Sequence, residues 1–258
     1  MSTAGIFERT EVLVGEAGIK QLRQARVLLC GLGGVGSFAG EALSRAGIGH
    51  LTLIDSDRVS PSNINRQLPA LGSTVGEKKV QVMAERLREI NPDCQLQARD
   101  LFLDPDNIPE LLEELQPHWV IDAIDSLNCK VNLIIEAQAR KIPVASSMGA
   151  GGRLDPTRLV TGDLMDSEGC PLARVVRRRV RRRGGERGVV AVWSKEPAKP
   201  HLPPEPMERG RARAVNGTIS YMPALFGLTL AGLVIQDILA RESTPSPTDD
   251  PPPPQGST

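Results

Sequence analysis

The sequence predicts an α/β fold: a doubly wound, mainly parallel sheet with a C-terminal α+β elaboration. Three observations carry that expectation. Short apolar runs of strand length alternate with helix-length periodic segments as far as Ser147. A glycine-rich turn, GLGGVG from Gly31, joins the first of these runs to a helix. Asp55, Asp57, Asp122 and Asp125 fall at or just past the ends of two such runs, and the carboxyl ends of parallel strands are where open α/β sheets bind ligands.

Taken in order, residues 16–24 read as a short helix. Val27, Leu28 and Leu29 form a buried-type strand, after which Gly31, Gly33, Gly34 and Gly36 let the backbone turn tightly and approach a phosphate at a helix N-terminus. Asp55 ends the second strand nineteen residues after Gly36, where a carboxylate can accept hydrogen bonds from ribose hydroxyls. A polar loop follows, then a helix with the stripe Val80, Met83, Leu87 and Ile90, stopped by Asn91 and Pro92. Residues 95–98 make a third strand, 108–115 a helix, 119–123 a fourth strand, 131–140 a helix and 143–147 a fifth strand. Beyond Gly149 glycine and proline punctuate short strands. Residues 171–183 have helical spacing, with Leu172, Val175, Val176 and Val180 on one face; 188–194 are a β-type run, 197–206 a mobile proline-rich loop, and 223–240 an apolar helix. The proline, serine and threonine of 241–258 predict a disordered tail. Residues 1–240 are expected to be one domain, with its core over about 16–150 and the elaboration over 151–240.

At 258 residues the chain can bury one substantial core with an elaboration, or form two small domains. The net charge is zero, so any attraction for nucleic acid must come from a local patch. The N-terminus lacks the pattern of an export signal, and the longest apolar run, 224–235, is short and glycine-interrupted, so a cytoplasmic location without a membrane partner is expected. Cys30, Cys94, Cys129 and Cys170 are scattered without a Cys-x-x-Cys pair and read as reduced thiols rather than metal ligands.

The loop after Asp55 separates two kinds of nucleotide chemistry. A nicotinamide dinucleotide needs few cations beyond the glycine turn, which would leave Arg66, Gln67 and Lys79 unused. ATP has more charge to hold, and AMP transfer to a carboxylate builds further charge at the α-phosphate. Asn63, Arg66, Gln67 and Lys79 suit that task, a guanidinium binding phosphate oxygens bidentately and Lys79 supplying a point charge at a helix start. Asp125, just past the fourth strand, can hold a magnesium ion that bridges phosphates.

These segments resemble the adenylating superfamily of ubiquitin-activating enzymes and sulfur-carrier activators. The likeness lies in GLGGVGS, LIDSD, SNINRQ, VGEKKV and DAIDS. It implies an adenylation-type domain in which the glycine turn, Asp57 and Asp122 line the ATP site, Asp55 binds ribose, Asn63, Arg66 and Lys79 contact phosphates, and Asp125 binds Mg2+. FERTEVLVG looks like the family's arginine segment, so Arg9 resembles a residue that reaches the neighbour's ATP across a homodimer. Within the superfamily the chain is most similar to the tRNA threonylcarbamoyladenosine dehydratases, through DAIDSLNCKVNLI, SSMGAGGRLDPTRL, CPLARVVRRRVRRRG, VWSKEPAKP and NGTISYMPALFGLTLAG, over about residues 6–240. The paired Cys-x-x-Cys motifs of sulfur-carrier activators have no counterpart. The implied activity is ATP-dependent cyclisation of threonylcarbamoyladenosine in tRNA. Adenylation of a ubiquitin-like sulfur carrier is the alternative, and a sulfur-transfer protein is a conceivable partner.

Between Arg174 and Arg187 eight arginines stand against one acid, Glu186. Arg177, Arg178, Arg179, Arg181, Arg182 and Arg183 are therefore the expected tRNA contacts, acting on the phosphate backbone. Cys170 precedes this run; a semi-buried helix cap is favoured over a nucleophile, because internal cyclisation needs no enzyme thioester.

Overall fold

The structure, a computed structural model, describes residues 5–200, 202–205, 213–215 and 217–241, those of 202–205 and 213–215 in backbone only. A seven-stranded sheet has the order β3-β2-β1-β4-β5-β7-β6. Its strands are β1 (Arg26–Cys30), β2 (His50–Asp55), β3 (Gln95–Asp100), β4 (Trp119–Asp122), β5 (Val144–Ser147), β6 (Leu159–Asp163) and β7 (Val189–Ser194). Only β6 pairs antiparallel, against β7; the other pairings in this sheet are parallel. The chain winds outward from β1 to β3 and then crosses back to β4, so the direction of winding reverses between β1 and β4. Ligand crevices open at such a reversal.

Helices α1 (Glu8–Gln24), α2 (Gly36–Ala46), α3 (Lys79–Ile90), α4 (Ile108–Leu115), α5 (Leu127–Ala139), α6 (Pro171–Arg182) and α7 (Tyr221–Ala240) cover the two faces. Alternation in β1 sorts the cores: Val27 and Leu29 face one cluster with Leu43, Met83, Leu87 and Phe226, whereas Leu28 faces the other with Leu112, Val120, Ile134 and Val176. Each fully buried leucine stabilises the fold by roughly 1.5–3 kcal/mol, so this alternation determines which helices lie on which face.

The differences from the sequence reading have local causes. The first helix begins at Glu8 rather than at residue 16. Gly15, at φ 74°, breaks it, and Val12 and Leu13 are exposed, so this first half lacks the buried stripe that reveals a helix. α5 starts four residues earlier than expected, at Leu127. Within the proline-rich segment expected to be a mobile loop, β8 (Leu202–Glu205) pairs antiparallel with β9 (Arg213–Val215). The disordered tail expected over 241–258 lies, apart from Arg241, outside the described residues.

α7 is longer than its apolar run implied, and by length and composition it could cross a membrane. Its apolarity has another use here: Met222, Phe226, Leu230, Ala231 and Val234 are fully buried. A Cβ on Gly227 would lie 2.1 Å from the carbonyl oxygen of Val35, so glycine lets α7 come against the start of α2.

Candidate functional site

The glycine turn crosses the end of β1 between its neighbours. The Gly31 amide donates to the Ile54 carbonyl at 2.8 Å, and the Ala123 amide donates to the Cys30 carbonyl at 2.9 Å. Gly31 has φ 90°, and a Cβ on Gly36 would sit 1.7 Å from the Gly31 oxygen, so neither position accepts a side chain. Gly34 would press on Pro223 at 2.9 Å, whereas at Gly33 the nearest atom is Gln67 Nε2 at 3.7 Å. The turn is therefore packed on its far side and open at Gly33. α2 then begins without a side-chain cap, presenting a positive helix end.

Asp55 reaches back to this turn. Its carboxylate accepts from the Leu32 amide at 2.6 Å and from the Asp57 amide at 2.7 Å. Burial nonetheless pushes its pKa up, outweighing the attraction of Lys79 and these two amides. Lys79, at the first residue of α3, is buried and pairs with exposed Asp57 at 2.8 Å. Asp57 therefore holds the cation as well as lining the rim.

The loop 60–68 lies across the turn. The Arg66 guanidinium donates to the Ser62 carbonyl and to Asn65 Oδ1, each at 2.8 Å, and partial burial lowers its pKa. The Asn63 carboxamide oxygen accepts from the Ser60 amide at 3.1 Å, shaping the loop. Gln67 Oε1 is buried without a partner among the described residues. Ser37, not singled out in the sequence, ties the parts together: its hydroxyl donates to the Gly33 carbonyl at 2.7 Å and accepts from the Leu68 amide at 3.3 Å.

Asp125 lies exposed in the loop after β4. Asp122 requires a correction. Expected to line the ATP site, it is fully buried, with its carboxylate held by Lys130 at 2.7 Å, by the Ser146 hydroxyl at 2.6 Å and by the Ile124 amide at 3.1 Å. It braces β4, α5 and β5 from below the rim and offers no surface to a ligand. Lys130 and Ser146 lie within DAIDSLNCKVNLI and SSMGAGGRLDPTRL, but neither segment shows that the two residues close on Asp122; the one hint was a lysine eight residues after the acid, on the following helix.

Arg9 is exposed on α1. The arginines of α6 divide into two sets. Arg177 donates to the Ser167 carbonyl, Arg179 to Asn128 Oδ1 at 2.5 Å and Arg183 to Asn132 Oδ1, fastening α6 to α5 and the preceding turn. Arg187 pairs with Asp166. Arg174, Arg178, Arg181 and Arg182 share a surface groove with Arg177, and the side chains of these four make no hydrogen bond or ion pair to another described residue. All four cysteines are free and buried; Cys170 is the N-cap residue of α6, and burial raises the pKa of Cys30 well above the usual thiol value.

A glycine turn at the reversal of strand order, a carboxylate ending the next strand and a cationic loop over both define a Rossmann-like nucleotide-binding domain of the adenylating type. The ThiF family profile matches residues 7–249, and the chain belongs to the ThiF family. It is similar to the tRNA threonylcarbamoyladenosine dehydratase of Bacillus subtilis (strain 168), with 36% identity over 240 residues covering 90% of this chain and 94% of that protein. The protein of that description from Escherichia coli (strain K12) is 43% identical over 197 residues, 74% of this chain and 73% of that one. The crystal structure of the E. coli tRNA N6-threonylcarbamoyladenosine dehydratase in complex with ATP matches with a TM-score of 0.81 and 37% identity, over 91% of this chain and 93% of that one.

Proposed function

We propose that the protein uses ATP to cyclise threonylcarbamoyladenosine in tRNA with loss of water. The observation that carries this reading is the gathering of Gly33, Asp55, Arg66 and Lys79 on one rim, in a chain similar over nine-tenths of its length to dehydratases. A carboxylate is a poor electrophile because its leaving group would be oxide. One carboxylate oxygen attacks the α-phosphorus, pyrophosphate leaves, and the mixed anhydride carries AMP as a good leaving group. The ureido nitrogen then attacks the acyl carbon, loses its proton and expels AMP, helped by its proximity. Arg66 and Lys79 oppose the charge that develops on the phosphates.

No cluster of three metal-ligating side chains occurs among the described residues. One carboxylate, Asp125, together with nucleotide phosphates is a donor set that suits Mg2+, which binds through one or two carboxylates and phosphate oxygens. When bound, the ion would neutralise phosphate charge. The exposed arginines of α6 would hold the tRNA backbone, and the work is cytoplasmic. Arg9 would complete the site of a partner subunit in a homodimer; mixing inactive Arg9→Ala and Asp125→Ala proteins should restore some activity, and inactive verified heterodimers would refute it.

The test is to incubate modified tRNA with the protein, ATP and Mg2+. AMP and pyrophosphate should appear with one water lost per modified nucleoside, and tRNA lacking the threonylcarbamoyl group should be inert. Release of ADP would replace adenylation by carboxyl phosphorylation. Exchange driven by a carrier protein without tRNA would favour a sulfur-carrier substrate.

A further inference from the structure

Arg153 is the only buried arginine among the described residues, 3% exposed in the turn after β5. Its Nη1 donates to the carbonyls of Gly149 at 2.5 Å and Gly151 at 2.9 Å, while Nε and Nη2 are buried with no acceptor. Neither neighbouring acid pairs with it. Asp155 accepts from Thr157 and meets Arg158 at 3.4 Å, and Glu196 accepts from the amides of Leu154 and Asp155, each at 2.8 Å. Burying a guanidinium with one whole edge unsatisfied is unfavourable, and it becomes favourable when an anion takes that edge.

Two further features define the surroundings of this arginine. The start of α6 lies beside this arginine, and its N-cap residue, Cys170, makes no side-chain cap hydrogen bond. A methyl-sized point on Gly149 is 3.6 Å from Arg153 Nη1, 3.7 Å from Cys170 Sγ and 3.8 Å from Leu172 Cβ, so the start of α6 adjoins the guanidinium on its bonded Nη1 side. The turn is also joined to the nucleotide rim. The Gly152 amide donates to the Gly217 carbonyl at 2.7 Å and the Tyr221 hydroxyl to the Leu154 carbonyl at 2.7 Å, while Asn65 Nδ2 donates to the Thr218 carbonyl at 2.9 Å. One segment, 217–223, thus touches the Arg153 turn, the Arg66 loop and, through Pro223, the face of Gly34.

We infer that the Nε–Nη2 edge of Arg153 receives the carboxylate of the substrate and positions it for activation. The inference rests on the dehydratase reading, in which a carboxylate must be presented to ATP. An Nε–Nη2 edge offers two parallel donors, which fit two carboxylate oxygens bidentately. Arg153 is on this account a positioning residue that sets specificity for a free acid.

The experiment measures binding of modified tRNA and of the same tRNA with its threonyl carboxylate methyl-esterified, to the wild type, Arg153→Met and Arg153→Lys. The wild type should prefer the acid by roughly tenfold to a hundredfold, as expected for a charge-assisted pair. Arg153→Met should bind acid and ester within about threefold of each other, with ATP affinity unchanged. Arg153→Lys should be intermediate, keeping the charge without the fork. A folded Arg153→Met protein that retains the wild-type preference overturns the inference; if that variant does not fold, full preference in Arg153→Lys does so. A wild type that consumes no ATP with modified tRNA instead removes the functional reading itself.

Discussion

Two lysine–aspartate pairs lie near the carboxyl ends of the parallel strands at almost the same separation, and they differ in the exposure of the acid. Lys79 meets Asp57 at 2.8 Å and Lys130 meets Asp122 at 2.7 Å. The side chain of Asp57 is 69% exposed, whereas both members of the second pair are at 0%. An acid in water can release its cation to an incoming phosphate at little cost, because solvent takes over the carboxylate. An acid sealed beneath β4 cannot, because removing its partner leaves a buried charge. Contact distance therefore does not tell a ligand site from a brace; the exposure of the acid does.

The largest expected effect comes from breaking the sealed pair. Lys130→Met should destabilise the fold by about 3–5 kcal/mol, read from the urea midpoint, and adding Asp122→Leu should recover most of that loss. An unchanged midpoint in the single variant would abolish the contrast between the pairs. Lys79→Met should act on function instead: pyrophosphate release should slow by roughly 10², as for loss of one transition-state donor, with a smaller midpoint shift than Lys130→Met.

The arginines of α6 repeat the contrast on a smaller scale. Replacing Arg174, Arg178, Arg181 and Arg182 with alanine should flatten the salt dependence of tRNA binding by roughly 0.7–0.9 log units per lost phosphate contact. Replacing Arg177, Arg179 and Arg183 should mainly lower the unfolding temperature. If both sets change the salt slope equally, engagement within the fold is not what distinguishes them.

The smallest effect is a pH dependence at Asp55. Burial raises its carboxyl pKa, so on acidification it takes up a proton before an ordinary aspartate does. Above that raised pKa the buried charge costs folding stability; as pH falls through it the cost is relieved, while an acceptor for ribose hydroxyls is lost. Titrations of ATP affinity should therefore weaken on acidification in the wild type, and Asp55→Asn should flatten that slope. An equal slope in the variant would assign the titration elsewhere.

The same division runs through what the chain revealed at different levels. Period and punctuation decided the winding of the sheet: Val27 to Leu29, the glycines and Asp55 lie within one short stretch, so steric and hydrogen-bonding rules act on neighbours and can be read in order. The first half of α1 was missed because Val12 and Leu13 bury nothing, and apolar periodicity is legible only where a face is buried. Asp122 was placed in the ligand site because its type and position at a strand end are those of a ligand. Whether a carboxylate faces solvent or a lysine depends on Ser146, twenty-four residues away, and on the seating of α5 beneath β4. Likewise α6 shows eight nearby arginines in sequence but not which of them Asn128, Asn132 and Ser167 engage. The sequence by itself determined the fold class, the nucleotide turn and the family, because these depend on local backbone rules and contiguous motifs. Only the tertiary structure decided which charges are available to a ligand, because desolvation depends on every element packed around a group, whatever its distance along the chain.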